Sequence, residues 1–252
     1  GAAVSAAGAA SAAGAVAAAG TSASDPEGPA SAPPRPPRPV IPEGENPERW
    51  VDALEGFDEQ AAQSVAVDRP VVFVGSSSIR LWDSLAEDMA PVPTLNRGYG
   101  GSKIFDTVYW ADRLITKYDP SLVVAFTGTN DIKGASPRPA AWVARRFDEL
   151  VARLRTLGCD APLIYIAISP TPSRAEHLTA VLEANRLIQE RCELDDDLHF
   201  VDTASQLLDA DGQPDARWFV EDRLHLNAEG YAAWTAKVRP LVLRAYSVEG
   251  DR

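Results

Sequence analysis

Residues 70–79 read PVVFVGSSSI: a proline, an unbroken apolar run from Val71 to Val74, then Gly75 and three serines. A short apolar run rich in β-branched residues and bounded by Pro and Gly reads as a strand buried on both faces. The serines after it admit two readings. Ser is a preferred cap for a helix starting there, and a serine held at a strand-to-helix turn is also a position for a nucleophile. The strand alone does not choose between them, nor among Ser76, Ser77 and Ser78.

Outward from this stretch, apolar runs alternate with helical periodicity. A helix at 46–63 precedes the strand at 70–75. A short helix over 79–86 leads to a strand near 92–97, followed by a helix at 103–117 and a strand at 121–126. Beyond them come a helix at 138–157, a strand at 162–168, a helix at 174–192, a short strand at 199–201 and a last helix at 227–246. Strands alternating with helices of ten or more residues imply βαβ units and a mostly parallel sheet covered on both faces. Such sheets place ligand sites beyond the carboxyl ends of their strands. No internal repeat is evident.

The 252 residues suit one domain with an appendage, and a 45% hydrophobic content supplies a sizeable core. With 24 Lys and Arg against 36 Asp and Glu the net charge is −12, and no basic run offers counter-charge to a phosphate backbone. Nucleic acid and acidic membrane surfaces are therefore not expected as partners. The two cysteines, Cys159 and Cys192, lack metal or redox spacing. They read as buried thiols, with a single bridge between them as the alternative.

Residues 1–44 are low-complexity, an Ala, Gly and Ser block followed by a Pro-rich tract that includes PPRPPRP at 33–39. Such composition does not bury enough apolar surface to offset the cost of ordering, so a disordered leader and linker is expected, with residues 45–252 forming the domain. Ala17-Ala18-Ala19 fits the small-residue cleavage rule of a secretory signal. The expectation is a secreted or periplasmic protein, with a cytoplasmic one as the alternative. As a membrane span the block is too weakly apolar.

Four blocks stand at strand ends: Gly75-Ser76-Ser77-Ser78, Asn96 to Ser102 (NRGYGGS), Gly128-Thr129-Asn130-Asp131, and Asp222-Arg223-Leu224-His225 before the last helix. Singly, each suits a turn or a cap; together and in this order they point to one crevice. VVFVGSSSIRLW, LNRGYGGS, FTGTND and EDRLHLNAEGY resemble the blocks of the SGNH, or GDSL-type, hydrolases over roughly residues 66–247. Within that family the likeness is nearest to platelet-activating-factor acetylhydrolase-like acyl- and acetylesterases, which share the NxGxGG block. The resemblance implies a flavodoxin-like three-layer α/β/α fold with a mostly parallel five-stranded sheet. It also implies a serine esterase that cleaves an acyl or acetyl ester through an acyl-enzyme. By the match, Ser77 is the nucleophile, Asp222 and His225 complete the triad, and Ser77, Gly101 and Asn130 form the oxyanion hole. The family's block carries Asp before the nucleophile; here that place is Ser76, so the choice among the serines rests on alignment, with Ser78 the runner-up.

The chemistry asks for the same residue types. A hydroxyl needs a base near neutrality, and His suits that role. Of three histidines only His225 stands in such a block, whereas His177 and His199 read as structural or surface. Asp222, three residues before it, has the reach to orient its ring. No phosphate-loop motif follows the first strand, and no His pair has a metal spacing, so no metal or cofactor is expected. Arg80, Trp82, Tyr99 and Arg174 are candidates to flank the crevice and bind substrate, with Trp82 in the core and the arginines on the surface as the plain alternative. The rival reading from a different class is a catalytically idle carbohydrate-binding or surface protein of the same fold. The expected partner is a small-molecule or glycan ester; acyl length, alcohol and oligomeric state are not legible.

Overall fold

The computed structural model of the chain describes residues 36–250; the expectations made for residues 1–35 lie outside them. After a 3₁₀ turn at Pro47–Trp50, the elements are α1 (Val51–Gln63), β1 (Val71–Gly75), α2 (Ser77–Arg80), α3 (Leu85–Asp88), β2 (Thr94–Gly98), α4 (Ile104–Tyr109) and α5 (Ala111–Leu114). Then follow β3 (Leu122–Phe126), α6 (Ala140–Thr156), β4 (Leu163–Ile166), α7 (Leu178–Cys192), β5 (Leu198–Val201) and α8 (Ala228–Gly250). The five strands form one sheet in the order β2-β1-β3-β4-β5, and each pairing is parallel. The chain leaves β1 toward β2 on one side and crosses to β3 on the other, so a crevice opens where the order reverses, at the carboxyl ends of β1 and β3.

Every residue of β1 and β3 is buried, which is why both read as continuous apolar runs rather than alternating ones. The alternation is nevertheless present in what each side chain touches. Val72, Val74, Val123, Ala125, Leu163 and Tyr165 belong to the core on one face. Val71, Phe73, Leu122, Val124, Ile164 and Ile166 belong to the core on the other. The first face is covered by α1, α4, α6 and α7. Val143, Phe147, Leu150, Val151 and Leu154 supply the buried stripe of α6 at helical spacing. The second is covered by the α2–α3 segment through Ile79, Trp82, Leu85 and Met89, and by α8 through Trp234, Val238 and Val242. This is the flavodoxin-like, three-layer α/β/α arrangement implied by the blocks. Cys159 and Cys192 are buried and unbridged, and burial pushes the Cys192 thiol up to about 12. No helix among the described residues is long and apolar enough to cross a membrane.

Three helices differ from expectation, and the one expected at 174–192 begins only at Leu178, after a 3₁₀ turn at Pro172–His177. The segment 103–117 breaks at Trp110, which has φ −100° and ψ 16° and whose indole N–H donates to the Pro47 carbonyl at 2.8 Å. The segment 79–86 divides into α2 and α3, and α2 starts earlier, at Ser77. The Ser76 carbonyl accepts from the Ile79 and Arg80 N–H groups, each at 3.1 Å.

Residues 36–44, expected within the tether, are instead bound to the domain. Arg153 donates to the Pro37 carbonyl at 2.8 Å. Arg38 pairs with Asp112 at 3.1 Å and lies 4.1 Å over the Trp110 ring. Directly after them Glu45 is buried between Lys103 and Arg138, 3.1 Å from each. The docked chain therefore includes Pro37 and Arg38 rather than beginning at 45, because Arg38 finds an aromatic face and a carboxylate that composition does not reveal. A chain starting at residue 45 should melt about 3–6 °C below one starting at residue 36, the loss of one or two such contacts in a domain of this size. Equal melting temperatures in calorimetry would show that this segment contributes nothing.

Candidate active site

Gly75 ends β1 with no space for a side chain: a Cβ there would lie 2.0 Å from the Phe126 carbonyl oxygen of β3. The following Ser76 N–H donates to that same oxygen at 3.2 Å. Pinned in this way, the chain turns at once into α2. Ser76 is fully buried, Ser78 is nearly so, and Ser77 is partly exposed. Among the described residues only Ser77 of the three reaches His225, with its Oγ 2.9 Å from Nε2.

The segment 219–227 explains how the imidazole arrives there. Asp222 folds into an Asx turn, Oδ1 accepting from the Leu224 N–H at 2.8 Å and the His225 N–H at 2.9 Å. Its Oδ2 lies 2.6 Å from His225 Nδ1. Desolvation pushes the Asp222 carboxyl up, but the hydrogen bonds from His225 and Leu224 outweigh it and hold the group below its ordinary value. Asn227 then caps α8, accepting from the Gly230 N–H at 2.9 Å. The DxxHLN run is thus a turn, a base and a helix start within six residues.

On the other side of Ser77 the loop after β2 carries Gly101, which has φ +85°, a backbone setting that favours glycine. Trp50 packs beside it, 3.6 Å from where a Cβ would be, and stands edge-on to Tyr99 with ring centroids 5.3 Å apart. Arg49 donates to the Gly101 carbonyl at 3.4 Å. After β3, the Asn130 amide is held at both ends. Its Nδ2 donates to the Ser102 carbonyl at 3.0 Å, and its Oδ1 accepts from Arg174 at 3.2 Å. Ser77, His225 and Asn130 therefore line one recess, and the residue after Gly101, Ser102, is tied to it through Asn130.

Among the four candidates to flank the crevice, Arg174 alone lines the recess that contains Ser77. Trp82 is core: 1% exposed, with its indole N–H on Asp88 at 2.6 Å and its ring against Phe73, Tyr231 and Trp234. Tyr99 is buried under Trp50, its hydroxyl 3.4 Å from Thr107. Arg80 is exposed and lies over Gly100, away from the recess. Two aromatics that looked like substrate contacts thus fill the packing beneath the crevice. Conversely, Arg49 and Trp50 were missed, since nothing local marks a residue before α1 as reaching a loop after β2. The recess itself is small, about 10 Å³, and is lined also by Ser78, Thr129, Ser169, Thr171 and Leu224. A larger cavity, about 410 Å³, runs along β2 past Gln60, Arg97 and Tyr118 and is lined by neither Ser77, Asn130 nor His225. The chemistry favours the smaller one.

This geometry, a serine at the switch point of a doubly wound parallel sheet within reach of a His–Asp pair, defines a class of hydrolase. Residues 71–233 match the model of the GDSL-like lipase/acylhydrolase family, and the chain belongs to that family. It is a carboxylic ester hydrolase. No curated relative matches the chain. Among solved structures it is similar to a GDSL-like lipase from Bacteroides thetaiotaomicron at 19% identity and a TM-score of 0.62, over 79% of this chain and 98% of that one. It is similar to a lipase/acylhydrolase from Enterococcus faecalis at 20% identity and a TM-score of 0.54, over 73% and 96%. A catalytic mutant of an acetylxylan esterase from Geobacillus stearothermophilus follows at 13% identity and a TM-score of 0.55, over 72% and 96%. At these identities the likeness is one of fold.

Beside Asn130, Asp131 turns the opposite way and its Oδ2 accepts from the Ile104 N–H at 3.1 Å, at the start of α4. Burial pushes its carboxyl up to about 7, and the Glu45 and Asp106 charges add to this against the Ile104 N–H and Lys103. Between pH about 4 and about 7 the folded protein therefore keeps a proton that the unfolded chain releases, and this group's contribution to stability falls as pH rises through that window. Asp131→Asn does not titrate, so its melting temperature relative to wild type should rise by several degrees from pH 4.5 to pH 8. A difference that stays constant with pH would show the carboxyl ionised throughout.

Proposed function

We propose that the protein cleaves its ester by a Ser-His-Asp mechanism through an acyl-enzyme. The observation that carries this reading is the unbroken contact chain from Ser77 Oγ to His225 Nε2 at 2.9 Å and from His225 Nδ1 to Asp222 at 2.6 Å. His225 Nε2 takes the Ser77 proton as Oγ attacks the ester carbonyl. Asp222 holds the ring tautomer and offsets the imidazolium charge. The tetrahedral oxyanion is met by the Ser77 and Gly101 N–H groups and by the second N–H of the Asn130 amide, whose first is held by Ser102. His225 then returns the proton to the leaving alcohol, and a water activated by the same nitrogen releases the acid.

The crevice at Ser77 supports a short acyl group, since its recess of about 10 Å³ has no room for a hydrocarbon chain. Besides Phe126, Leu224 and Leu226, that recess is lined by hydroxyls, an amide, an imidazole and a guanidinium. A long hydrocarbon chain would leave those groups without partners. The acyl group is accordingly acetyl or close to it, on a polar alcohol.

Ser77→Ala should abolish turnover of an aryl acetate and labelling by a fluorophosphonate, whereas Ser76→Ala and Ser78→Ala keep both. Labelling that persists in Ser77→Ala and is lost in Ser78→Ala would move the nucleophile by one residue. Asp222→Asn should fold and lose on the order of a thousandfold or more in kcat; a wild-type rate would leave Asp222 as a turn residue only. Along a series of 4-nitrophenyl esters, kcat/KM should fall from acetate to octanoate, and a rising series would overturn the short-acyl reading.

A further inference from the structure

Arg174 stands in the crevice without an ion-pair partner among the described residues. Arg174 makes its three hydrogen bonds to neutral oxygens: the Thr129 carbonyl at 2.8 Å, Thr129 Oγ1 at 3.2 Å and Asn130 Oδ1 at 3.2 Å. Burial lowers its pKa, and only Glu176 counteracts this. Lys133 follows Asn130 by three residues, is exposed, and makes no ion pair among the described residues. Desolvation and the charges of Arg174, Arg49 and Lys103 depress its ammonium, with Asp131 opposing. Lys103 is answered by Glu45 at 3.1 Å, and Arg49 lies 3.8 Å from Asp106. Arg174 and Lys133 have no such partner. In a chain of net charge −12, a guanidinium that lines the recess and bonds only neutral oxygens is set against the general field of the protein.

A second observation points to the same ligand. Ser169 and Thr171, 6% and 5% exposed, line the recess with Arg174, and neither hydroxyl has a hydrogen-bond partner among the described residues. Buried hydroxyls are normally satisfied. One carboxylate oxygen is about the size of a water, and a recess of about 10 Å³ takes one such atom.

We propose that the alcohol half of the ester carries an anion, a carboxylate in the simplest case. One oxygen enters the recess to accept from Ser169, Thr171 and Arg174, and Lys133 faces the outer oxygen. The proposal rests on the esterase reading above and names the substrate class it serves: short-chain, chiefly acetyl, esters of acidic alcohols such as an acidic sugar. Arg174 thereby has two tasks, orienting Asn130 and binding the anion, while Lys133 has only the second.

The test compares 3-acetoxybenzoate with 3-acetoxybenzamide, which differ in charge but hardly in shape, each kcat/KM being divided by the ester's alkaline hydrolysis rate. Wild type should prefer the carboxylate on the order of tenfold or more at low salt, with the ratio collapsing toward one near about 0.5 M salt. Lys133→Glu should cut the ratio by a similar factor. A wild-type ratio of one or less, or a ratio unchanged in Lys133→Glu, overturns the proposal. If neither ester is cleaved, the esterase reading falls instead. Calorimetric titration of the wild-type protein with benzoate and with benzamide then decides the anion site alone: tighter benzoate binding upholds it, and equal binding overturns it.

Discussion

The site depends on how closely the last residue of β1 lies against β3. With 2.0 Å between a would-be Cβ at Gly75 and the Phe126 carbonyl oxygen, only glycine lets the two central strands end at the same level. Both sides of the Gly75 peptide are then used. The oxygen of Phe126 takes the Ser76 N–H, and the carbonyl of Gly75 takes the Tyr99 N–H at 2.9 Å and the Ser102 hydroxyl at 3.3 Å. One backbone crossing therefore ties together the exits of β1, β2 and β3, and these exits carry Ser77, Gly101 and Asn130. A sheet in which these strands ended at different heights would hold the same residues too far apart to meet.

Beneath that crossing lies an ionic and hydrogen-bonded layer. Asp106 accepts from the Lys103 N–H at 2.8 Å, and Asp131 accepts from the next N–H, that of Ile104. The start of α4, directly after the Gly101 loop, is thereby held by its own third residue and by the residue next to Asn130. Glu45 adds a clamp from the opposite end of the chain. Buried carboxylates are costly unless paired or hydrogen-bonded, and here each is committed to a backbone or cationic partner. Part of the acidic excess of the sequence thus supports the loops of the crevice.

What the sequence by itself determined was whatever depends on neighbours a few residues away. Val71 to Val74, Leu122 to Phe126 and Leu163 to Ile166 read as buried strands because no polar residue interrupts them, and the alternation with helical stretches implied a parallel sheet. Asp222 and His225 were legible as a unit because the acid and the base lie three residues apart, directly before the last helix. The blocks also pointed to Ser77, but on alignment alone.

Tertiary structure decided the rest. It separated Ser77 from Ser76 and Ser78 by bringing His225 to one of them across 148 residues of chain. It sent Trp82 and Tyr99 into the core although their positions suggested a crevice wall, because the α2–α3 segment and α4 press those rings onto the sheet. It docked residues 36–50 onto α4, α5 and the Gly101 loop, through arginines, a glutamate and a tryptophan that carry no local signal. The physical reason is common to all three: composition and periodicity report what a residue prefers, whereas contacts between distant segments are set by how the layers pack, and only packing says which preference is met.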